Sequence, residues 1–114
     1  MGRALGGFEQ TILLALLQLG PDADGVSIRR TIEARTGLET STGALYTTLE
    51  RLAKRELISF ELADATPERG GRRKRLYRLE EAGLLELRES FSVFTSMVRG
   101  VEALLEPEGE AERT

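Results

Sequence analysis

With 114 residues, the chain has room for one small domain and a helical extension, and so small a core favours oligomerisation. It contains no Cys and no His, which excludes a disulfide scaffold, a thiolate metal site and a catalytic or metal-binding imidazole. The net charge of −3 does not in itself indicate binding to a polyanion. The charges are unevenly distributed along the chain, however, and a polyanion responds to the local potential.

The first predicted element is an apolar helix from Phe8 to Leu19, which ends at Gly20 and Pro21. One apolar face is expected to enter the core, whereas Leu13 and Leu17 lie on a second face that belongs to the same core or meets a partner subunit. The run is far shorter than the ~20 residues of a membrane span, and no small-x-small cleavage pattern follows it. We therefore expect a cytoplasmic protein without a membrane segment.

A second helix is predicted from about Val26 to Arg35, with Asp24 as its N-cap. Arg29 and Arg30 lie off its apolar stripe. In a helix-turn-helix the first helix crosses the DNA backbone, so both arginines are candidates for contact with DNA phosphates if this helix and the next form that motif. An ordinary solvated face is the alternative. A short connection follows, in which Gly37 suits a left-handed helix cap and Leu38 is expected to pack under the turn.

The third predicted helix runs from about Thr40 to Arg55, with Ser41 or Thr40 as its N-cap. Its apolar face carries leucines at spacings of four and three residues, namely Leu45, Leu49 and Leu52. The first turn on the other face is rich in small and hydroxyl side chains, which allow close approach to a phosphate or a base edge. The candidate DNA contacts on this helix are Ser41, Thr42, Gly43, Tyr46 and Arg51. An ordinary amphipathic helix is the alternative.

Two strands around a basic turn are predicted next. Residues 57–62 alternate in polarity, with Ile58, Phe60 and Leu62 on one side, and residues 76–79 return with Tyr77 and Leu79 facing inward. Between Thr66 and Arg78 there are six basic residues and one acidic residue. Those proposed to contact phosphate are Arg69, Arg72, Arg73, Lys74 and Arg75, and such contacts make affinity fall with salt. A basic loop that only promotes solubility is the alternative.

Three helices followed by this two-stranded unit give the element order of a winged helix-turn-helix. The segments Gly7-Phe8-Glu9, Leu13–Leu17, Thr36-Gly37, Gly43–Leu49 and Tyr77-Arg78-Leu79 resemble the PadR family of bacterial transcriptional regulators over roughly residues 7–85. The resemblance implies a DNA-binding regulator. In that family a glycine commonly follows the third helix, where this chain has Glu56. Because a left-handed non-glycine residue costs about 1 kcal/mol or more, we expect a different helix exit.

The C-terminal part carries the most regular pattern in the chain. Its apolar residues alternate at spacings of three and four: Leu84, Leu87, Phe91, Phe94, Val98, Val101 and Leu105. This heptad seam predicts one helix from Glu80 to Leu105, and about 25 residues span roughly 37 Å. That is too long for so small a head, so the seam is expected to form a homodimer interface, with an intramolecular lid as the alternative. The family usually has Thr where Glu80 stands, so the cap of this helix is in doubt.

The predicted fold is mainly α with a small two-stranded β wing. Residues 7–80 form the DNA-binding domain, residues 81–106 the dimerisation helix and residues 107–114 a disordered acidic tail. We find no catalytic constellation, metal site or cofactor motif. The expected function is a homodimeric repressor that binds a pseudo-palindromic operator in double-stranded DNA, and the alternative is a winged-helix adaptor without a DNA target.

A candidate effector site follows only from the resemblance. Members of the family often respond to aromatic or other small lipophilic compounds at the dimer interface. In this chain Phe91, Phe94 and Met97 are the residues expected to line such a site. Packing within the seam or the core is the alternative role for these three side chains.

Overall fold

The computed structural model describes residues 4–64, 67 and 73–107. Over these residues the chain forms five helices and one two-stranded sheet: α1 (Gly7–Leu19), α2 (Gly25–Thr36), α3 (Thr42–Lys54), β1 (Ile58–Leu62), β2 (Arg75–Leu79), α4 (Glu81–Val98) and α5 (Glu102–Leu105). The predicted fold class, mainly helical with a two-stranded wing, is confirmed. Within the described ranges every helix falls short of the length and apolar character that crossing a bilayer requires.

The predicted helix caps are confirmed. The Asp24 carboxylate accepts a hydrogen bond from the backbone N–H of Ser27 at 2.8 Å, and the Ser41 hydroxyl accepts one from Ala44 at 3.2 Å. Gly37 adopts φ +73° at the end of α2, and its N–H donates to the Glu33 carbonyl. These caps satisfy backbone groups that helix ends leave without partners, and they set the short turn between α2 and α3.

The core lies between α1, α2, α3 and the base of the sheet. Its fully buried side chains include Ile12, Leu13, Leu16, Ile28, Leu45, Leu49, Leu52, Ile58 and Tyr77. Leu13 thus joins the core of its own chain, whereas Leu17 is 51% exposed. Leu38 is 69% exposed, so the prediction that it packs under the turn is wrong. Polar bonds close that turn without it, because Thr36 Oγ1 accepts from the Leu38 N–H and Glu33 accepts from the Thr40 N–H.

The two strands form an antiparallel pair in which Ile58 faces Leu79, Phe60 faces Tyr77 and Leu62 faces Arg75. Tyr77 is buried, as predicted, but burial decreases along β1, and Leu62 is 51% exposed. A short bridge attaches this sheet to the loop between α1 and α2. Ala23 and Tyr77 exchange two backbone hydrogen bonds of 3.1 and 2.7 Å. The base of the wing therefore has a third backbone neighbour, which limits its movement against the helices.

The exit from α3 keeps a left-handed residue although glycine is absent. Glu56 adopts φ +61°, so the prediction of a different exit geometry is wrong. Two backbone bonds close the helix end: the Glu56 N–H donates to the Ala53 carbonyl at 2.9 Å, and the Leu57 N–H donates to the Leu52 carbonyl at 3.1 Å. Such bonds satisfy terminal carbonyls and offset the cost of about 1 kcal/mol for the left-handed residue.

The C-terminal helix is shorter than predicted. α4 ends at Val98, and the chain turns at Arg99 and Gly100 before the four-residue α5. Gly100 adopts φ +94°, and its N–H donates to the Glu102 carboxylate at 2.7 Å. One uninterrupted helix from Glu80 to Leu105 is therefore wrong. A glycine enters the left-handed region at little cost, and the Glu102 side chain stabilises the turn that results.

The start of α4 is held by the rest of the fold. Glu80 does not cap the helix with its side chain, and its carboxylate accepts a hydrogen bond from the Ser59 hydroxyl instead. Gly83 lies so close to β1 that a Cβ there would be 2.3 Å from the Leu57 carbonyl oxygen. Leu87 is the last core residue, at 7% exposure. We call the described residues from Leu5 to Leu87 the head.

Beyond Leu87 the apolar seam leaves the head. We call residues 88–105 the arm. Its large apolar side chains are exposed: Phe91 72%, Phe94 64%, Met97 76%, Val101 43% and Leu105 61%. Val98 is intermediate. Residues 108–114, which include most of the predicted disordered tail, lie outside the described part of the chain.

Candidate nucleic-acid interface

The third helix presents a continuous exposed stripe on the side opposite the core. Its core face is formed by the buried residues Leu45, Thr48, Leu49 and Leu52. With 3.6 residues per turn, the opposite face carries Gly43, Thr47, Glu50 and Lys54, all of them exposed. We call these four residues the α3 stripe. A ligand can reach this stripe without displacing any other element of the head.

The start of α3 is held against α2 by an arginine. Arg29 Nη1 donates a hydrogen bond to Thr42 Oγ1 at 3.1 Å. The Nε atom of Arg29 is buried and has no hydrogen-bond partner among the described residues. Arg30, the next residue, is exposed. The structure thus brings together Arg29 and Thr42, two candidate residues that are thirteen positions apart in the chain.

Tyr46 lies beside the α3 stripe and contacts α2. A Cβ atom at Gly25 would be 2.1 Å from the Tyr46 hydroxyl oxygen and 2.6 Å from its Cζ. The tyrosine ring therefore covers the first residue of α2, while 42% of the residue stays exposed. This contact gives Tyr46 a packing role in addition to the predicted DNA contact, because only glycine leaves room for the ring at that point.

Arg51 lies on the other flank of α3 and is directed toward the start of α1. Its Nη1 is 3.9 Å from Glu9 Oε2, and the arginine side chain is 49% exposed. Glu9 is buried, and its Oε1 accepts a hydrogen bond from the Gly6 N–H at 2.8 Å. Arg51 therefore lies away from the residues at the start of α3 with which it was grouped.

Lys74 is paired with the cap of α2. Its Nζ lies 2.8 Å from Asp24 Oδ2. Burial by itself raises the pKa of Asp24, but hydrogen bonds from Lys74 and from the backbone and hydroxyl of Ser27 outweigh it, and the pKa falls from 3.8 to about 2. The base of the wing is therefore joined to α2 by a charged pair.

Two more cations near the base of the wing have partners within the chain. The guanidinium carbon of Arg75 lies 4.3 Å from the centre of the Phe60 ring, at the distance of a cation–π contact. Arg78 Nη2 is 3.2 Å from Glu61 and 3.6 Å from Asp22. Arg73, by contrast, is exposed. Arg69 and Arg72, which were predicted to contact phosphate, lie outside the described residues.

A buried tyrosine lies at the base of the wing. The Tyr77 ring is buried and lies 5.7 Å, centre to centre, from the Phe60 ring. Burial raises the pKa of the Tyr77 hydroxyl above its usual value of 10.0; its interaction with Arg75 opposes the shift, and the nearby Tyr46 and Glu50 increase it. Tyr46 and Glu50 of α3 are therefore close enough to Tyr77 to affect the ionisation of its hydroxyl.

A family comparison is consistent with this geometry. A model of the Transcriptional regulator PadR-like family matches residues 13–89, which is more than half of the chain. The chain belongs to this family. The family predicted from the residues is thereby confirmed. Because PadR-like proteins are transcriptional regulators, the prediction that the chain is not an enzyme is confirmed as well. No curated protein matches the chain.

Solved structures of PadR-like proteins share the fold. A PadR-like transcription factor from Bacteroides fragilis is 26% identical, with 85% of this chain and 88% of that one covered, at a TM-score of 0.72. A PadR family regulator from Eggerthella lenta is 28% identical, with 85% and 82% covered, at a TM-score of 0.65. F93 from STIV, a winged-helix DNA-binding protein, is 22% identical, with 84% and 96% covered, at a TM-score of 0.67. At that last identity the likeness concerns the fold alone.

Three residues of the α3 stripe were not among the DNA contacts predicted from the sequence. Thr47, Glu50 and Lys54 were left out of the candidate list, although the α3 stripe contains them. The signal was available, since residues 43, 47, 50 and 54 repeat at helical spacing opposite the leucines. The intramolecular partners of Lys74 and Arg75 had no comparable signal, because they come from elements distant in the chain.

Proposed function

We propose that this PadR-like chain binds double-stranded DNA as a homodimer and represses transcription from a pseudo-palindromic operator. The observation that carries the proposal is the exposed α3 stripe, next to which Arg29 of α2 holds the first turn of the helix at Thr42. In winged helix-turn-helix proteins the corresponding helix enters the major groove. Because transcription regulators act where the DNA is, the proposal includes the predicted cytoplasmic location.

The start of α3 is suited to close approach. Ser41 and Thr42 place hydroxyl groups at a helix N-terminus, where the backbone N–H groups favour an anion. At Gly43 an added Cβ would have no neighbour nearer than 3.8 Å, so the surface there is open. We propose that Ser41, Thr42 and Gly43 contact a phosphate or a base edge, and that Tyr46 supports them from the side of α2.

The cations are expected to contribute unequally. Arg30 and Arg73 are exposed, so a phosphate can contact them without displacing a carboxylate. Lys74 would have to exchange its contact with Asp24, and Arg75 its contact with Phe60, before contacting DNA. Each such exchange removes part of the gain from the new contact. We therefore propose Arg30 and Arg73 as main phosphate contacts, together with Arg69 and Arg72, and assign Lys74 and Arg75 chiefly to wing position.

The exposed apolar side chains of the arm support the homodimer. Phe91 and Phe94 continue the apolar seam of α4, which is buried in the head at Leu87. Because a soluble chain rarely leaves so many large apolar residues in water, we propose that the arms of two chains cover each other. The two α3 helices would then reach half-sites about one helical turn, roughly 34 Å, apart.

We also propose a site for an aromatic or lipophilic effector at the dimer interface. Phe91, Phe94 and Met97 are each more than 60% exposed in the single chain, so a site there would have to be completed by the second subunit. Such a ligand would act through different affinities for two dimer states. Thermal stabilisation by a ligand that leaves DNA affinity unchanged would contradict this coupling.

Titration of a fluorescent duplex from the chain's own upstream region tests DNA binding. The purified full chain is titrated at several salt concentrations and compared with an unrelated duplex. We expect preference for the upstream duplex and an affinity that falls steeply with salt. Absence of binding even at low salt would contradict the proposed function and favour the adaptor, for which the neutralised cations Lys74 and Arg78 are the supporting observation.

The role of the wing is tested with a matched pair of variants. Arg72→Ala/Arg73→Ala removes two cations from the wing and leaves the Lys74–Asp24 pair intact. Arg88→Ala/Arg99→Ala removes two exposed cations from the arm. Each phosphate contact contributes about 0.9 to the slope of log affinity against log salt, so the first variant should lower the slope by up to about 2 and the second should not. If the Arg72→Ala/Arg73→Ala variant has the same salt slope as the wild type, the proposed contact between the wing and DNA is wrong.

A further inference from the structure

An exposed carboxylate lies in the middle of the α3 stripe. Glu50 is exposed and makes neither a hydrogen bond nor an ion pair with any residue in the described ranges. Lys54 follows it by four positions, a spacing that often produces an ion pair on a helix surface, yet the two side chains do not form one here. An acidic group thus occupies the surface that, in the proposed function, approaches a polyanion.

This placement opposes DNA affinity unless the carboxylate receives a hydrogen bond there. The candidate residues Arg29, Arg30 and Arg73 are cationic, as expected for phosphate contact. A carboxylate only accepts hydrogen bonds, and phosphate groups carry no donor, so the DNA backbone cannot satisfy Glu50. In the major groove, donors are supplied by the amino groups of cytosine and adenine.

The chemistry of the base edges favours cytosine over adenine. Adenine presents its amino group next to N7, an acceptor that repels a carboxylate, whereas cytosine presents its N4 amino group without an acceptor on the same base. Gly43 and Thr47 precede Glu50 on the stripe and are small, so they allow the helix to approach the groove. From Gly43 to Glu50 the stripe extends about 10 Å along the helix, which is comparable to a major groove about 12 Å wide.

We propose that Glu50 is a specificity-determining residue, whose carboxylate accepts a hydrogen bond from the N4 amino group of a cytosine in each half-site. The proposal rests on the proposed function, since it requires α3 to enter the major groove. It assigns base selection to a residue that weakens binding to every other sequence. Discrimination by a group that is left unpaired at the wrong site is a common source of specificity.

Selection from a randomised duplex library tests this assignment. Wild-type protein, Glu50→Gln and the control Glu89→Gln are each used to enrich sequences, and base preferences are compared position by position. Glu89 is an exposed glutamate on α4, outside the stripe. We expect the wild type and the control to enrich cytosine about tenfold at one position of each half-site. Glu50→Gln should lose that preference or replace it with adenine, which glutamine recognises through N6 and N7.

Two other outcomes would overturn the assignment in distinguishable ways. If the wild type enriches a motif and Glu50→Gln enriches the same motif with the same preferences, Glu50 has only a surface role and the proposed function stands. If the wild type enriches nothing and does not bind duplex DNA, the proposed function fails together with this assignment. Circular dichroism of Glu50→Gln should match the wild type, because the side chain has no partner to lose among the described residues.

Discussion

The head and the arm contain similar apolar residues in one continuous pattern, yet these residues have opposite environments. Leu87 is 7% exposed in the head, whereas Phe94, seven positions later on the same face of α4, is 64% exposed. The head covers its own apolar face with α1, α3 and the base of the sheet. The arm has no described element over it. A heptad pattern therefore indicates that an apolar face is buried against another element, but it does not indicate whether that element belongs to the same chain or to a second one.

Charged substitutions on the arm should give the largest effect. Phe91→Glu/Phe94→Glu places two carboxylates in the proposed interface, so we expect the dimer dissociation constant to rise at least about a hundredfold, because unpaired charges are very costly to bury. Sedimentation velocity measures the change. Ser92→Glu/Ser96→Glu, which adds the same charges on other faces of α4, should leave assembly intact. A wild-type chain that remains monomeric at tens of micromolar would contradict the proposed dimer.

Truncation of a leucine in the head tests whether apolar side chains of the head and of the arm contribute differently to the stability of a single subunit. Leu49 is 0% exposed, so Leu49→Ala should lower the free energy of unfolding by about 2–5 kcal/mol. Phe94→Ala should change it by less than about 0.5 kcal/mol, as at other surface sites. Urea unfolding is measured at concentrations where single subunits predominate. A comparable loss for Phe94→Ala would show that the arm folds back on its own head.

The parts predicted correctly from the sequence depend on local signals. Asp24 and Ser41 cap helices because their side chains reach N–H groups three residues away, and Gly37 is left-handed because it ends a helix before a turn. In each of these interactions the two residues lie within a few positions of each other in the chain. Tyr77 was placed inward because strand periodicity holds near the base of the sheet, where helices cover one face.

The predictions that failed concern contacts between elements distant in the chain, or helix ends at which unexpected hydrogen bonds stabilise the backbone. Glu102 stabilises the turn at Gly100, so a pattern typical of one long helix is interrupted. Glu56 enters the left-handed region because backbone bonds close the end of α3. Arg51 pairs with Glu9, and no periodicity indicates such a contact. For the proposed interface, the sequence did not indicate which of the candidate cations are already paired within the chain.

Gly83, at the start of α4 in the head, gives a prediction of intermediate size. A Cβ at this position would lie 2.3 Å from the Leu57 carbonyl oxygen and 2.7 Å from Leu79 Cδ1. Because backbone cannot move aside easily, Gly83→Ala should reduce the free energy of unfolding by about 1–3 kcal/mol, even though alanine favours helices. Gly7→Ala on α1 is the control, since nothing lies within 4 Å of its added Cβ. Equal stability of the two variants would mean that α4 can shift on the head.

The smallest expected effect concerns the charged pair at the base of the wing and its dependence on pH. The folded-state pKa of Asp24 is about 2, below the usual 3.8, so its contribution to stability is present above about pH 4 and is lost as the pH falls toward 2. Because the Lys74 side chain is 42% exposed, solvent screening reduces the contribution to about 1 kcal/mol. Between pH 5 and pH 2, the free energy of unfolding of the wild type should therefore fall by about that much more than that of Asp24→Asn. Asp22→Asn, which alters a more exposed carboxylate, should keep the wild-type dependence, and parallel curves for wild type and Asp24→Asn would show that the pair does not stabilise the head.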